Sequence, residues 1–248
     1  MSAEPLHATS AGSQAPCRQV RIELRDAACF PHAFERYQRG LTKALRAEGR
    51  GPIEEPVMTA WEPGECLLVA ALDVRGYTIG GIQLQRHCPE RALACFDTMR
   101  HAEVSIEDLL DGDAVDGGHG ELGGLWVGPE YRGFGLDSVL AEAAMSQARD
   151  FSGRWLWGLC SEPMLVDYVA VGFKLRRDLA DGGRCWSESM REHTWIIHAD
   201  LDSDQARATP RYGLRQRLTR QRYERQRLGG PRGALSVSFD LRWPHRGP

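Results

Sequence analysis

The chain has 248 residues, a net charge of −3 and 42% hydrophobic residues. This length fits one large domain, or one medium-sized domain with extensions. The charge gives no global attraction to nucleic acid or to an acidic membrane. Because no stretch has the length of a membrane-spanning helix or of a signal-peptide core, we expect a cytoplasmic protein.

Cysteine and histidine patterns argue against a metal site. The seven cysteines show no Cys-x-x-Cys spacing, and no pair among His119, His193 and His198 has helical metal-ligand spacing. We therefore expect free thiols and no metal. Cys160, at the end of a predicted strand, is either a nucleophile or a small buried apolar residue, and the second is the more common case.

The first third of the chain predicts a disordered tail followed by a strand, a helix and a hairpin. Residues 1–17 are small, polar and proline-bearing, which is typical of disorder. In the residues that follow, apolar side chains at alternate positions predict strands, and apolar side chains at three- and four-residue spacing predict a helix. The predictions are a strand over 20–25, a helix over 31–47, a loop over 49–63 and two strands over 66–74 and 77–85.

An acidic segment follows the hairpin. Residues 89–100 predict a short helix or an insertion, and residues 101–120 then contain six carboxylates and no lysine or arginine. A solvated loop is the usual state of such a charge run. The alternative is that some of these carboxylates bind a cationic amine substrate.

The stretch from 120 to 150 predicts a strand, a turn and a helix. Residues 122–127 have the length and the apolar content of a buried strand, and apolar residues recur at helical spacing from Leu136 onward. The helix therefore begins within residues 132–137. Its first amides lack intrahelical acceptors and favour an anion. Glycines at 133 and 135 allow close approach to the backbone, and an arginine at 132 adds a cation.

The residue order around this corner resembles a known motif. LWVGPEYRGFGL, residues 125–136, resembles the acyl-CoA-binding motif of the GNAT superfamily of N-acyltransferases, Gln/Arg-x-x-Gly-x-Gly/Ala. MLVDYVAVGF, residues 164–173, is similar to the family's short helix that ends in Gly-Phe, and a predicted strand over 154–161 lies between the two motifs. Asp137 departs from the pattern, because its carboxylate would repel a diphosphate unless it turned away to cap the helix amides.

The resemblance implies a fold and a reaction. The fold is α+β, with a mixed, mostly antiparallel central sheet flanked by helices. The reaction moves an acyl group, acetyl by base rate, from an acyl-CoA thioester to a primary amine of a small molecule or peptide. Tyr168 would protonate the leaving sulfur and Glu121 would take the amine proton. Each residue also has an alternative without a catalytic role. The Tyr168 ring would then pack in the core, and Glu121 would face solvent at the end of a strand.

The same resemblance implies a donor site. The backbone amides of Trp126 and Val127 would lie beside the pantetheine arm and hydrogen-bond the thioester carbonyl. The corner itself would hold the diphosphate. The residues implied there are Arg132, Gly133, Phe134, Gly135, Leu136 and Asp137.

The C-terminal third predicts a turn at 181–183, a strand over 193–201, a basic helix and a final strand over 234–243. Between Gln205 and Arg232 there are nine arginines and one acid, and leucines follow an amphipathic pattern. We expect Gly229-Gly230-Pro231 to end that helix.

Three parts are predicted: a tail over 1–17, a GNAT-like domain over 18–202 and an arginine-rich extension over 203–248 that packs on it. One alternative function is a long-chain N-acyl amino acid synthase-like enzyme whose acyl carrier protein docks on residues 205–232. Another is a degenerate, non-catalytic acyl-CoA-binding module, which Asp137 favours. Binding of nucleic acid is not expected, because the overall charge is negative. A homodimer is an alternative to a monomer.

Overall fold

One long β-sheet with helices on both faces forms the architecture. The computed structural model describes residues 17–50, 60–88, 90–113, 118–188, 190–203, 225–230 and 233–243. The predicted tail over 1–17, except its last residue, lies outside these ranges, as do most of the predicted loop over 49–63 and residues 204–224 of the predicted basic helix.

The described elements follow in chain order. The strands are β1 Arg18–Asp26, β2 Cys66–Asp73, β3 Thr78–Arg86, β4 His119–Val127, β5 Trp155–Cys160, β6 Lys174–Leu175, β7 Arg184–Ser187, β8 Glu192–Asp200, β9 Arg225–Gly230 and β10 Gly233–Asp240. The helices are α1 Pro31–Ala47, α2 Ala94–His101, α3 Ile106–Asp113, α4 Leu136–Ser152 and α5 Leu165–Ala170.

The strand order is β6-β8-β5-β4-β3-β2-β1-β10-β9, and β7 pairs with β8 beside β6. Neighbouring strands are antiparallel except for β4 with β5 and β1 with β10. The mixed, mostly antiparallel sheet of the predicted α+β fold is therefore confirmed.

A gap opens in the middle of this sheet. The parallel strands β4 and β5 pair only at their beginnings, where His119, Gly120 and Glu121 face Trp155, Leu156 and Trp157. β4 then continues to Val127 and β5 to Cys160, and the described register contains no pairs between these two ends. A cleft bounded by two strand edges is the result.

Helices cover the two faces on either side of this cleft. α1 buries Phe34 and Tyr37 against one face, in a cluster with alternate residues of β2. α4 buries Val139 and Leu140 against the opposite face, together with Leu122 of β4. Successive strand residues point to opposite faces, so neighbours on β4 reach different helices.

Most predicted elements in the described ranges are confirmed, with strand boundaries shifted by up to three residues and with the helix predicted within 89–100 beginning at Ala94; two predictions are wrong. Much of the acidic segment is α3 and not a loop, because Ile106 and Leu109 bury their side chains against Phe96 and Trp157. Residues 225–230 are strand β9 and not the end of a basic helix. Gly229 and Gly230 lie in that strand, which forms a hairpin with β10.

Gly40 is required by close packing between α1 and the sheet. A Cβ atom at this position would lie 2.1 Å from Cζ2 and 2.3 Å from Cη2 of Trp126. An alanine normally stabilises a helix by up to about 1 kcal/mol relative to glycine, whereas overpacking costs about 1 to 3 kcal/mol. At these distances the steric cost dominates.

We expect Gly40→Ala to lower the free energy of unfolding by about 1 to 2 kcal/mol, as measured by urea denaturation. In a Trp126→Leu background, which removes the ring, the same substitution becomes neutral or stabilising. Equal effects of Gly40→Ala in both backgrounds would contradict the steric explanation.

Candidate active site

A β-bulge shapes the β4 edge of the gap. Gly81 pairs with Trp126, and Gln83 pairs with Gly123. Between these pairs, one residue of β3, Ile82, lies opposite two residues of β4, Gly124 and Leu125. Gly124 has φ 66°, and a Cβ atom there would lie 2.2 Å from the Tyr37 hydroxyl, so only glycine fits. That hydroxyl donates a hydrogen bond of 2.7 Å to the Gly124 carbonyl and ties the bulge to α1.

The bulge also decides which backbone groups face the gap. The Gly128 amide donates to the Ile79 carbonyl of β3 at 2.7 Å. Because an antiparallel ladder alternates, the Val127 amide and carbonyl face away from β3, toward the gap, whereas the Trp126 amide faces β3. Val127 thus offers its amide at the edge, and the indole of Trp126 lies on the α1 face.

The predicted glycine corner is present and open. Gly133 and Gly135 have φ 80° and 76°, in the left-handed region, and Gly135 is the residue on which α4 begins. A Cβ atom at either position would meet no described atom within 4 Å. The amides of residues 133–137 make no hydrogen bond to any residue that the structure describes. An anion can therefore approach the positive end of α4 closely.

Buried side chains hold this corner in place. Phe134 and Leu136 are 4% and 1% exposed and pack in the cluster between α4 and the sheet. They anchor the loop while its amides stay at the surface. Asp137 is partly buried, and its carboxylate has no hydrogen bond or ion pair within the described ranges. The predicted capping role of Asp137 is thus absent there.

Arg132 is held beside the corner by two partners. Its Nε donates to the Val127 carbonyl at 3.0 Å, and its Nη2 lies 2.8 Å from Oε1 of Glu48 at the end of α1. The guanidinium remains about half exposed. Its position is set by the β4 edge, and its charge is shared with a carboxylate.

Glu121 does not face solvent as a strand-end residue would. It is the third residue of β4, on the face covered by α2, and its Oε2 accepts a hydrogen bond of 3.0 Å from the Cys95 amide in the first turn of α2. Burial raises the pKa of Glu121, and the hydrogen bonds from the amides and thiol at the start of α2 oppose that rise. A carboxylate with a raised pKa suits a general base.

Tyr168 lies on the opposite face of the sheet, in the cluster that contains Leu122 and Cys160. It is 5% exposed, and its ring meets Phe173 edge-on at 5.5 Å. α5 ends at Ala170, and Gly172, with φ 111°, turns the chain so that the Phe173 amide donates to the Tyr168 carbonyl at 3.1 Å. The GF ending of the second motif therefore fixes the tyrosine.

Burial keeps the two other groups near this side of the gap protonated. It raises the pKa of Tyr168 well above its ordinary value, and the neighbouring Cys160, Asp167 and Glu121 raise it further. Burial also raises the pKa of Cys160 to about 12. A thiol that keeps its proton at neutral pH is a poor nucleophile, which favours the structural interpretation of Cys160.

The site therefore brings a carboxylate and a phenol to one gap from opposite faces. Glu121 and Leu122 are adjacent on β4 and point to different faces, and Leu122 packs with Tyr168. The α4 N-terminus lies directly after the same β4 edge. A carboxylate, a phenol and the open start of a helix thus lie around one strand edge.

Comparison with known proteins identifies this arrangement. Residues 34–159 match the family model described as the acetyltransferase (GNAT) family. The chain belongs to the GNAT acetyltransferase family. It is an acyltransferase enzyme, and the matched region includes the gap, the bulge and the glycine corner. A comparison with curated proteins found no match.

Solved structures show the same GNAT fold at low sequence identity. The N-acyl amino acid synthase FeeM, from uncultured soil microbes, has a TM-score of 0.57 and 12% identity over 77% of this chain and 95% of that chain. BjaI, a CoA-dependent acyl-homoserine lactone synthase solved with SAM and isopentyl-CoA, has a TM-score of 0.55 and 14% identity over 91% and 95%. TofI, solved with an inhibitor and MTA, has a TM-score of 0.51 and 16% identity over 76% and 95%.

Two further findings concern the described residues alone. These residues contain no group of three or more His, Cys, Asp or Glu side chains able to hold a metal ion. None of the helices in the described ranges is long and apolar enough to cross a membrane.

Sequence reasoning missed three residues of this GNAT site. Cys95, Tyr37 and Glu48 contact Glu121, Gly124 and Arg132 respectively. They are far from those partners in the chain, 26 residues in the first case and 87 in the second. No local spacing signals such contacts, because the fold alone brings them together.

The raised pKa of Glu121 predicts a pH-dependent stability. Between the ordinary glutamate pKa of 4.5 and the raised value, the folded protein keeps a proton that the unfolded chain has lost. The contribution of the Glu121 carboxyl to the free energy of unfolding is therefore complete below pH 4.5, and it is lost as pH rises through the raised pKa. We expect Glu121→Gln to gain stability relative to the wild type as pH rises through this window, in denaturant titrations at several pH values.

Glu62→Gln, on an exposed loop, is the control for this titration. A difference between wild type and Glu121→Gln that stays constant across the same pH range would contradict the buried, proton-retaining state of Glu121.

Proposed function

We propose that this GNAT enzyme transfers an acyl group from an acyl-CoA thioester to a primary amine. The observation that carries the proposal is the open glycine corner at the end of the unpaired β4 edge. Two left-handed glycines and five amides without a hydrogen bond to any described residue offer a place for a diphosphate. The repulsion expected from the Asp137 carboxylate is the reason to measure donor affinity.

The donor is proposed to lie along the gap. Its diphosphate would contact the amides of the corner. The buried side chains of Phe134 and Leu136 would keep the loop in place. Its pantetheine arm would run beside β4, where Val127 presents an unpaired amide to the thioester carbonyl. Such a donor, placed before reaction, stabilises negative charge that develops on the carbonyl oxygen.

The chemistry is proposed to use both faces of the sheet. The amine nitrogen attacks the thioester carbonyl carbon and forms the C–N bond, and its proton passes to Glu121 directly or through water. The C–S bond then breaks, and the departing thiolate takes a proton from the Tyr168 hydroxyl. The raised pKa values of both groups agree with these roles, because Glu121 holds a proton more readily than an exposed glutamate and Tyr168 stays protonated until sulfur leaves.

The domain arrangement is part of the proposal. We assign the acyltransferase domain to residues 18–202 and treat residues 203–248 as an extension of it. The described part of that extension continues the sheet, because β10 pairs with β1 and β9 pairs with β10.

A second candidate is a synthase that places a long acyl chain on an amino acid. The observation in its favour is the fold likeness to FeeM, the N-acyl amino acid synthase, across 77% of this chain. An acyl carrier protein would be the donor in that case, docked on residues 205–232, of which Arg227 is exposed on β9. Binding of carrier protein at low salt, lost at high salt, would favour this candidate.

The first experiment is calorimetry with CoA, followed by a thiol-release screen. Acetyl-, succinyl- and long-chain acyl-CoA would be tested against a library of primary amines that includes amino acids. Amine-dependent thiol release is expected for at least one pair. CoA binding without any turnover would indicate a non-catalytic acyl-CoA-binding module, and absence of CoA binding would overturn the proposal.

We expect Tyr168→Phe to lower kcat by about a hundredfold to ten-thousandfold, because a general acid contributes this much. CoA affinity should change little, because backbone amides form the proposed diphosphate site and the substitution leaves them unaltered. Thiol release measures the first quantity and calorimetry the second. Unchanged kcat would remove Tyr168 from the mechanism.

A further inference from the structure

A chain of ion pairs runs from the glycine corner to the strand beside β5. Arg132 Nη2 lies 2.8 Å from Oε1 of Glu48, and Oε2 of the same glutamate lies 3.1 Å from Nη1 of Arg50. Nη2 of Arg50 contacts Glu192, the first residue of β8. We call these four residues the ion-pair chain.

The end of α1 fixes the middle of the ion-pair chain. Gly49 adopts φ 70°, its amide donates to the Arg46 carbonyl at 3.0 Å, and the Arg50 amide donates to the Leu45 carbonyl at 2.8 Å. This is a Schellman ending, which sets Glu48 and Arg50 in defined positions. Glu48 therefore stands at the negative end of the α1 dipole, where a carboxylate is disfavoured unless cations offset it.

The contact between Arg132 and Glu48 is one that a stronger anion can displace. The Arg132 side chain is 45% exposed and that of Glu48 is 35% exposed. Ion pairs this exposed contribute little to stability because water screens them. A diphosphate carries more negative charge than one carboxylate, and the open amides at the start of α4 would attract it as well.

We propose that Glu48 is an internal competitor for the donor diphosphate: it occupies Arg132 in the free enzyme and is displaced when the donor binds. This inference rests on the proposed function, since it concerns the same donor site. Displaced Glu48 turns wholly to Arg50, its other partner. Donor binding is thereby coupled to the contact that Arg50 makes with β8, on the opposite side of the gap.

Glu48→Gln tests the competition. Removing the competing charge frees Arg132, so CoA should bind roughly two- to fivefold more tightly in calorimetry. The gain should shrink at high ionic strength, because screening weakens both interactions. A merely structural role for Glu48 would leave CoA affinity unchanged or reduced.

Glu35→Gln is the matched control, because Glu35 also pairs with an arginine, Arg39, on the surface of α1. It should leave CoA affinity unchanged. Thermal unfolding followed by circular dichroism checks that both variants fold.

Arg50→Gln tests the coupling. With Arg50 gone, Glu48 has only Arg132 as a partner and competes more strongly, so CoA affinity should fall about twofold. In the Glu48→Gln background the same substitution should have no effect, which is a non-additive result. An equal loss in both backgrounds would mean that Arg50 acts on the donor directly, and would overturn the coupling.

The outcomes separate this inference from the function on which it rests. If wild-type protein fails to bind CoA, the proposed function falls. If the wild type binds CoA and Glu48→Gln binds it no more tightly, only the competitor role of Glu48 falls.

Discussion

Hydrogen bonding between β4 and β5 stops after Glu121 and Trp157, and the proposed site depends on the open strand edge that results. A strand edge without a partner exposes backbone donors and acceptors that a substrate can use. The bulge at Gly124 then turns the last residues of β4 so that the Val127 amide faces the opening. The glycine corner follows after the short turn Pro129–Tyr131, so the Val127 amide and the amides at the start of α4 lie close together in the chain.

Large helices on both faces make such an interruption tolerable. Burial of Tyr37, Leu122, Phe134 and Leu140 holds α1 and α4 against the sheet on either side of the gap. The same burial withdraws Glu121 and Tyr168 from water and moves their pKa values upward. Packing around these two side chains therefore also raises their pKa values, and the amides of α2 limit how far the pKa of Glu121 rises.

The central part of this fold could be predicted because its signals are local. Apolar spacing located α1 and β4, and two glycines with an arginine located the start of α4. The segment at 106–113 was misjudged because carboxylates dominate its composition, although Ile106 and Leu109 carry its helical packing. The prediction for residues 225–230 is wrong because it rests on leucines at helical spacing, whereas Arg225 and Arg227 are two residues apart, as residues on one face of a strand are. For the site, Glu121 and Tyr168 followed from motif positions, whereas Cys95 and Glu48 reach it only through tertiary contacts.

β10 pairs in parallel with β1. A strand from near each end of the described chain therefore lies inside the sheet, between β2 and β9. During synthesis, β1 is made well before β10, so it can pair with β2 and cover its apolar residues with α4 while its other edge still lacks this partner. Until then Val20 and Ile22, which are almost completely buried in the finished sheet, border an unpaired edge. The nascent acyltransferase therefore closes this half of its sheet through a contact of very high sequence separation, which slows folding and makes the incomplete chain prone to self-association.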